Sequence, residues 1–100
     1  MRVIALPTLK RSIENSAEHR DARQPVLAWY QVVTGADWNS PAALKRHFGT
    51  ASVLKDGRAV FNLAGNKYQL VVRINYSYRI VYIRFIGTHR EYDKIDAQRI

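Results

Sequence analysis

Cysteine is absent from the chain of 100 residues. Neither a disulfide framework nor a thiolate metal site is therefore available to hold together or equip so small a domain. Long apolar runs are also missing. Arg, Lys, Gln or Asn interrupts every hydrophobic segment well short of the ~18 apolar residues a membrane span needs, so no membrane association is expected. The opening MRVIALPTLKR has only Val3 to Leu6 as an apolar run before Pro7 and Lys10. That is too brief for a signal-peptide core, and a cytoplasmic protein is expected. Acidic residues are scarce: eight Asp and Glu stand against sixteen Lys and Arg, a formal charge of +8. At 47% apolar and 24% charged residues the composition is that of a folded globular chain, which excludes a disordered tail.

The distribution of charge says more than its total. From Gly57 to Arg90 the bases Arg58, Lys67, Arg73, Arg79, Arg84 and Arg90 occur with His89, and Asp and Glu do not occur at all. Such a block favours polyanionic partners through phosphate contacts and counterion release, with nucleic acid first among them. A solvated basic surface kept for solubility is the plain alternative.

One domain over residues 1–100 is expected, with a helical front half at about 7–49, strands at about 51–87, and a polar segment at 87–96 that carries the chemistry. Arg2 to Leu6 suits a short strand. Pro7 and Thr8 open a helix near Leu9 to His19, whose Leu9, Ile13 and Ala17 form a narrow apolar stripe. A second helix from about Asp21 or Ala22 to Val33 places Val26, Trp29, Tyr30 and Val33 at core spacing, with Pro25 tolerated in its first turn. Asn39-Ser40-Pro41 then reads as an N-cap followed by proline at the first helical position, starting a third helix through Leu44 to Phe48, with Trp38 anchoring the join.

From residue 51 the period changes to two. Ser52 to Lys55 and Arg58 to Ala64 flank an Asp56-Gly57 hairpin turn, and Lys67 to Asn75 and Arg79 to Ile86 continue as an antiparallel meander. The expected class is α+β, a small antiparallel sheet with helices packed on one face and the other face partly open. Alternation sends Phe61, Leu63, Tyr68, Leu70, Val72, Ile74, Val81, Ile83 and Phe85 to the core, and leaves Asn62, Lys67, Gln69, Arg73, Asn75, Tyr82 and Arg84 on the opposite side. Cations, amides and an aromatic ring there suit an RNA strand, with Arg90 close by. Tyr76 and Tyr78, flanking Ser77 in the following loop, are candidates for stacking on bases.

The segment from Gly87 to Ile95 holds the residue types that RNA cleavage without a metal can use. A 2′-hydroxyl must lose a proton to attack the adjacent phosphate, fixed cations must stabilise the added charge, and the leaving 5′-oxygen must gain a proton. His89 can act as base or acid, Tyr92 as proton donor or orienting hydroxyl, and Lys94, Arg73 and Arg84 as phosphate clamps. Glu91, Asp93 and Asp96 lie beside the basic block as ion partners rather than metal ligands, so neither metal nor cofactor is expected. Each residue also has a structural reading. His89 could bond a turn carbonyl, Tyr92 could be buried, and Arg73 and Arg84 could pair with Glu91 or Asp93.

The strings Phe61-Asn62-Leu63-Ala64-Gly65-Asn66-Lys67-Tyr68, Leu70-Val71-Val72-Arg73-Ile74, Val81-Tyr82-Ile83-Arg84-Phe85-Ile86-Gly87-Thr88-His89 and Glu91-Tyr92-Asp93-Lys94-Ile95 closely resemble the HigB toxins of bacterial toxin-antitoxin modules. The resemblance spans the second half without a gap and continues more loosely through Ala28-Trp29-Tyr30, Ala36-Asp37-Trp38 and Val53 to Gly57. It implies a RelE-like fold and an mRNA interferase that cuts transcripts under translation on the ribosome. It also implies a HigA-type antitoxin partner with a helix-turn-helix domain, which neutralises the toxin and reaches operator DNA as a complex. Residue by residue, it assigns RNA contact to Lys67, Arg73 and Arg84 and the terminal cluster to His89, Tyr92 and Lys94. Gln69 departs from the family pattern, where an arginine follows the Gly-Asn-Lys-Tyr string. A non-catalytic RNA- or DNA-binding module remains the competing reading.

Overall fold

The computed structural model describes residues 1–5 and 20–100. The helix expected near Leu9 to His19 lies outside the described residues. Strand β1 (Arg2–Ala5) is followed, after a single 3-10 turn at Arg20–Ala22, by helices α1 (Arg23–Thr34) and α2 (Pro41–His47). Strands β2 (Ser52–Val53), β3 (Arg58–Leu63), β4 (Tyr68–Asn75) and β5 (Ile80–Thr88) come next, and the short helix α3 (His89–Tyr92) follows directly. Sheet order is β1-β5-β4-β3-β2. The four later strands are antiparallel, as the hairpin signals require, whereas β1 adds to β5 in parallel, with Arg2 opposite Ile80 and Ile4 opposite Tyr82.

Local chemistry explains the joins. The Ser40 hydroxyl accepts the Ala43 N–H at 3.2 Å and Pro41 occupies the first helical position, which together start α2. Asp56 and Gly57 both have positive φ (57° and 77°), the backbone of a type I′ turn whose twist matches the flanking strands. At Gly57 a Cβ would sit 2.5 Å from the Ile74 carbonyl oxygen, while Ile74 N–H donates to the Gly57 carbonyl at 2.8 Å. Only glycine permits that approach.

The main core lies between the helices and one sheet face. Phe61 is its hub, edge-on to Trp29 and Phe48 with centroids 5.4 and 5.0 Å away and stacked on Trp38 at 6.1 Å. Trp29, Val33, Trp38 and Leu44 are buried. Tyr30, expected among them, is 45% exposed. At 100° per residue the buried stripe centres between Trp29 and Val33, and Tyr30 falls on its margin.

Two features of the second face correct the expectation from simple alternation. Val71 faces Phe85 while the next residue, Val72, faces Ile83, so Arg84 is an extra residue in β5, a β-bulge. Alternation changes phase there: Ile83 and Ile86 enter the main core, and Phe85, expected beside Val81 and Ile83, turns to the opposite face. That face is also less open than expected. Val60 and Val71 form a second apolar cluster with Ala97, covered by Leu54, Phe85, Tyr92, Ile95 and Ile100. Apolar surface on the outer face is stabilised by about 25 cal/mol per Å² once covered, and the residues after α3 cover it. The Gln98 side chain exchanges two hydrogen bonds with the Lys55 backbone, and Arg58 Nε donates to the Ile100 carbonyl at 3.1 Å.

Candidate functional site

Beyond the covered part, the second face is cationic. Arg58, Arg73, Tyr82 and Ile4 form one row across β3, β4, β5 and β1, and Asn75, Ile80 and Arg2 form the next. Arg73 and Arg84 are exposed, Tyr82 is half-buried, and the Arg84 guanidinium carbon lies 6.0 Å from the Tyr82 ring centroid. A cavity of about 620 Å³ opens here, lined by Arg73, Asn75, Tyr82 and Arg84 together with Asp56, Gly57 and residues of the β4–β5 loop. Asp56 is its single acidic wall residue. Among the described residues neither Arg73 nor Arg84 forms an ion pair with a carboxylate. Two guanidinium groups flanking an aromatic ring, with no ion pair to a described carboxylate, have the chemistry to take a phosphate and a base.

Glu91 and Asp93 are engaged elsewhere. The Glu91 carboxylate accepts the Thr88 N–H at 2.8 Å and the Thr88 hydroxyl accepts the Glu91 N–H at 3.3 Å, a reciprocal capping box that starts α3. Gly87 allows this tight exit, since a Cβ there would lie 3.1 Å from the Glu91 side chain. His89 is thereby fixed at the first position of α3. Its Nε2 lies 3.8 Å from Asp93 Oδ2, and its ring is near-parallel to that of Tyr92 at 6.5 Å.

The site residues expected from sequence divide into three groups. Arg73, Tyr82, Arg84 and Asn75 converge on the cavity. His89 and Tyr92 form a pair farther along β5, since five residues at ~3.3 Å rise separate His89 from Arg84 by roughly 16 Å of extended chain. The Tyr92 ring bridges part of that gap, packing in the cluster of Val71 and Phe85, which adjoin Arg73 and Arg84 in the strands. Arg90 and Lys94 are exposed at this end and have no side-chain partner among the described residues.

The remaining residues are placed differently from the expected open face. Gln69 is 3% exposed, and its amide nitrogen donates to Asn62 Oδ1 at 3.0 Å while Asn62 donates to the Thr50 carbonyl at 3.2 Å. The two amides lock the β3–β4 hairpin instead of lining the cavity. Lys67 sits at the far end of β4, paired with Asp21 at 3.1 Å and 5.5 Å from the Tyr68 ring centroid. The hydrogen bond to Asp21 chiefly holds its ammonium above the usual lysine range, with the charges of Tyr68 and Asp21 adding to the shift. Asn75 reaches the cavity but uses its side-chain oxygen to accept the Tyr78 N–H at 3.1 Å.

Sequence reasoning overlooked Arg2 and the capping pair, and counted Arg58 in the basic block without placing it on this face. The Thr88-x-x-Glu91 spacing is a readable signal for the capping pair, and the β3–β4 register places Arg58 beside Arg73. Arg2 joins this face only through parallel pairing, which no local pattern announces.

The model of HigB_toxin, the RelE-like toxic component of a toxin-antitoxin system, matches residues 22–95. The chain belongs to the HigB toxin family. Like its relatives it is the toxic component of a toxin-antitoxin module. It is 28% identical over 99 residues to the mRNA interferase toxin HigB of Escherichia coli K12, covering 97% of this chain and 92% of that protein. The mRNA interferases HigB of Escherichia coli O157:H7 and Shigella flexneri match over the same shares at the same identity. Within the HigB match fall both arginines of the cavity, the His89–Tyr92 pair and Arg58, whereas Arg2 and the covering residues after Ile95 lie outside it. Among the described residues no helix is long and apolar enough to cross a membrane.

Proposed function

We propose that this HigB-family toxin is a ribosome-dependent endoribonuclease that cleaves mRNA under translation and needs no metal of its own. The observation that carries the reading is a cavity with two arginines, unpaired with any described carboxylate, around Tyr82, on the sheet face against which Tyr92, the ring neighbour of His89, packs. The names of the relatives, mRNA interferases, support the substrate.

Arg73 and Arg84 hold the phosphate and stabilise its added charge. One member of the His89–Tyr92 pair removes the 2′-hydroxyl proton and the 2′-oxygen attacks the adjacent phosphorus. The bond to the 5′-oxygen breaks as that oxygen receives a proton from the other, leaving a 2′,3′-cyclic phosphate and a 5′-hydroxyl end. Lys94 and Arg90, exposed beside the pair, hold the neighbouring phosphates. A cognate HigA-type helix-turn-helix antitoxin neutralises the toxin, and operator DNA is bound only through their complex.

Primer extension on a defined mRNA in a reconstituted translation reaction tests this. New 5′ ends should appear with ribosomes and not without them, fall sharply with His89→Ala, and disappear when the ribose at the cut is 2′-deoxy. Scission at a 2′-deoxy position would overturn the mechanism. RNA binding without cleavage under any condition would favour a non-catalytic module.

A further inference from the structure

We propose that Tyr78 is a stacking platform for the nucleobase next to the phosphate held by Arg73 and Arg84, a subsite that extends the cavity onto the β4–β5 loop; this rests on the nuclease reading above. Tyr76 and Tyr78 look equivalent in sequence, and the structure separates them. Tyr76 turns inward, packs against the main core and lines the cavity with Ser77. Tyr78 is 76% exposed, far more than Leu27, Tyr30, Val32 or Val53, the other exposed large apolar residues among the described ones.

The loop beneath that ring is restrained. Asn75 Oδ1 accepts the Tyr78 N–H at 3.1 Å, closing the turn from one side. On the other side Arg79, with φ 58°, directs its guanidinium to the carbonyls of Tyr76 and Ser77 and to Asp37 Oδ1 at 2.5 Å. The backbone on both sides of Tyr78 is thus fixed by side-chain bonds, whereas its ring has no aromatic or cationic neighbour among the described residues.

An exposed aromatic ring forgoes the burial that ordinarily stabilises it. Mounted on a restrained turn, it offers a flat surface whose ordering cost has already been met by folding. Its chain neighbour Ser77 lines the cavity and Tyr78 stands just outside that lining, so the base adjacent to a phosphate held between Arg73 and Arg84 is the one this loop can meet. Either purine or pyrimidine would stack there, because every base has a π-face. Tyr78 therefore contributes to substrate affinity, not to bond-making.

Steady-state cleavage of ribosome-bound mRNA by wild type, Tyr78→Ala, Tyr78→Phe and Tyr78→Leu tests the assignment, with thermal unfolding and antitoxin binding measured on the same proteins. Tyr78→Ala should raise KM about tenfold at unchanged kcat and melting temperature. Tyr78→Phe should restore wild-type KM, and Tyr78→Leu should not. Unchanged KM in Tyr78→Ala, or rescue by leucine as well as phenylalanine, would overturn the stacking role. Loss of antitoxin binding with KM intact would likewise overturn it and make the ring a protein contact. Absence of cleavage by the wild type would overturn the nuclease reading first and this proposal with it.

Discussion

Arg58 on β3 and Arg73 on β4 stand directly opposite one another in the antiparallel ladder. Side chains so placed have Cβ atoms about 5 Å apart, and like charges in that position destabilise a sheet by up to ~1 kcal/mol. The Arg58 Nε bond to the Ile100 main-chain oxygen draws one guanidinium aside. An anion seated between the two relieves the repulsion. Arg73→Gln is therefore expected to leave stability unchanged or raise it by about 0.5 kcal/mol in urea unfolding, while cleavage falls on the order of 100-fold. A loss of both together would mean that Arg73 supports the fold.

The capping box sets the position of His89. Thr88→Ala removes the hydroxyl that accepts the Glu91 N–H and should cost about 1 kcal/mol. Cleavage should drop by more than the unfolded fraction explains, and Thr88→Ser should restore both. Equal cleavage per folded molecule in Thr88→Ala would show that the cap does not position the imidazole.

At the Asp56-Gly57 turn, Gly57→Ala places a methyl group 2.5 Å from the Ile74 carbonyl oxygen at a positive φ. A loss of more than about 2 kcal/mol is expected, because the obstacle is backbone and cannot move aside. Asp56→Asn, at φ 57°, should change stability by less than about 0.5 kcal/mol, since asparagine tolerates the left-handed region. Denaturant midpoints of the two variants give the comparison.

Much of this architecture was legible in the sequence, for reasons that are local. Asp-Gly dictates its turn, Ser40-Pro41 its helix start, and the basic strands their cationic sheet face. What was not legible depends on distant events. The bulge at Arg84 carries no glycine or proline to mark it, so alternation continued through it misplaces Phe85. The second apolar cluster needs Ala97 and Ile100 to fold back over Val60 and Val71, and no periodicity in so short a stretch shows that. Lys67 and Gln69 were expected on an open face by parity, whereas Asp21 and Asn62 claim their side chains through tertiary contact.

Alkaline pH should expose two groups. Burial raises the Tyr76 phenol above its ordinary 10.0, and the Asp21 hydrogen bond raises Lys67 above 10.5. A pKa raised by folding gives stability that is fully present below the unfolded value and is lost as pH climbs through the folded one, so both contributions decline above pH 10. The Tyr76 hydroxyl is buried without a hydrogen-bond partner among the described residues. Tyr76→Phe should accordingly gain about 1 kcal/mol at neutral pH and flatten the alkaline decline, and Lys67→Gln should flatten it without that gain. Urea titrations from pH 7 to 11 read both effects, and a destabilised Tyr76→Phe would show that the hydroxyl is satisfied in solution.

The parallel seam between β1 and β5 gives the chain an unusual order of completion. During synthesis Arg2–Ala5 is made well before Ile80–Ile83, yet the ladder it joins does not exist until that later segment has been made. Loop closure over so long a separation is slow relative to the hairpins in between. Within this seam Ile4 stands opposite Tyr82, which lines the cavity. A chain in which these two strands have not yet met thus carries an unfinished edge beside the cavity, and the toxin's fold is complete only once two segments distant in the sequence have found one another.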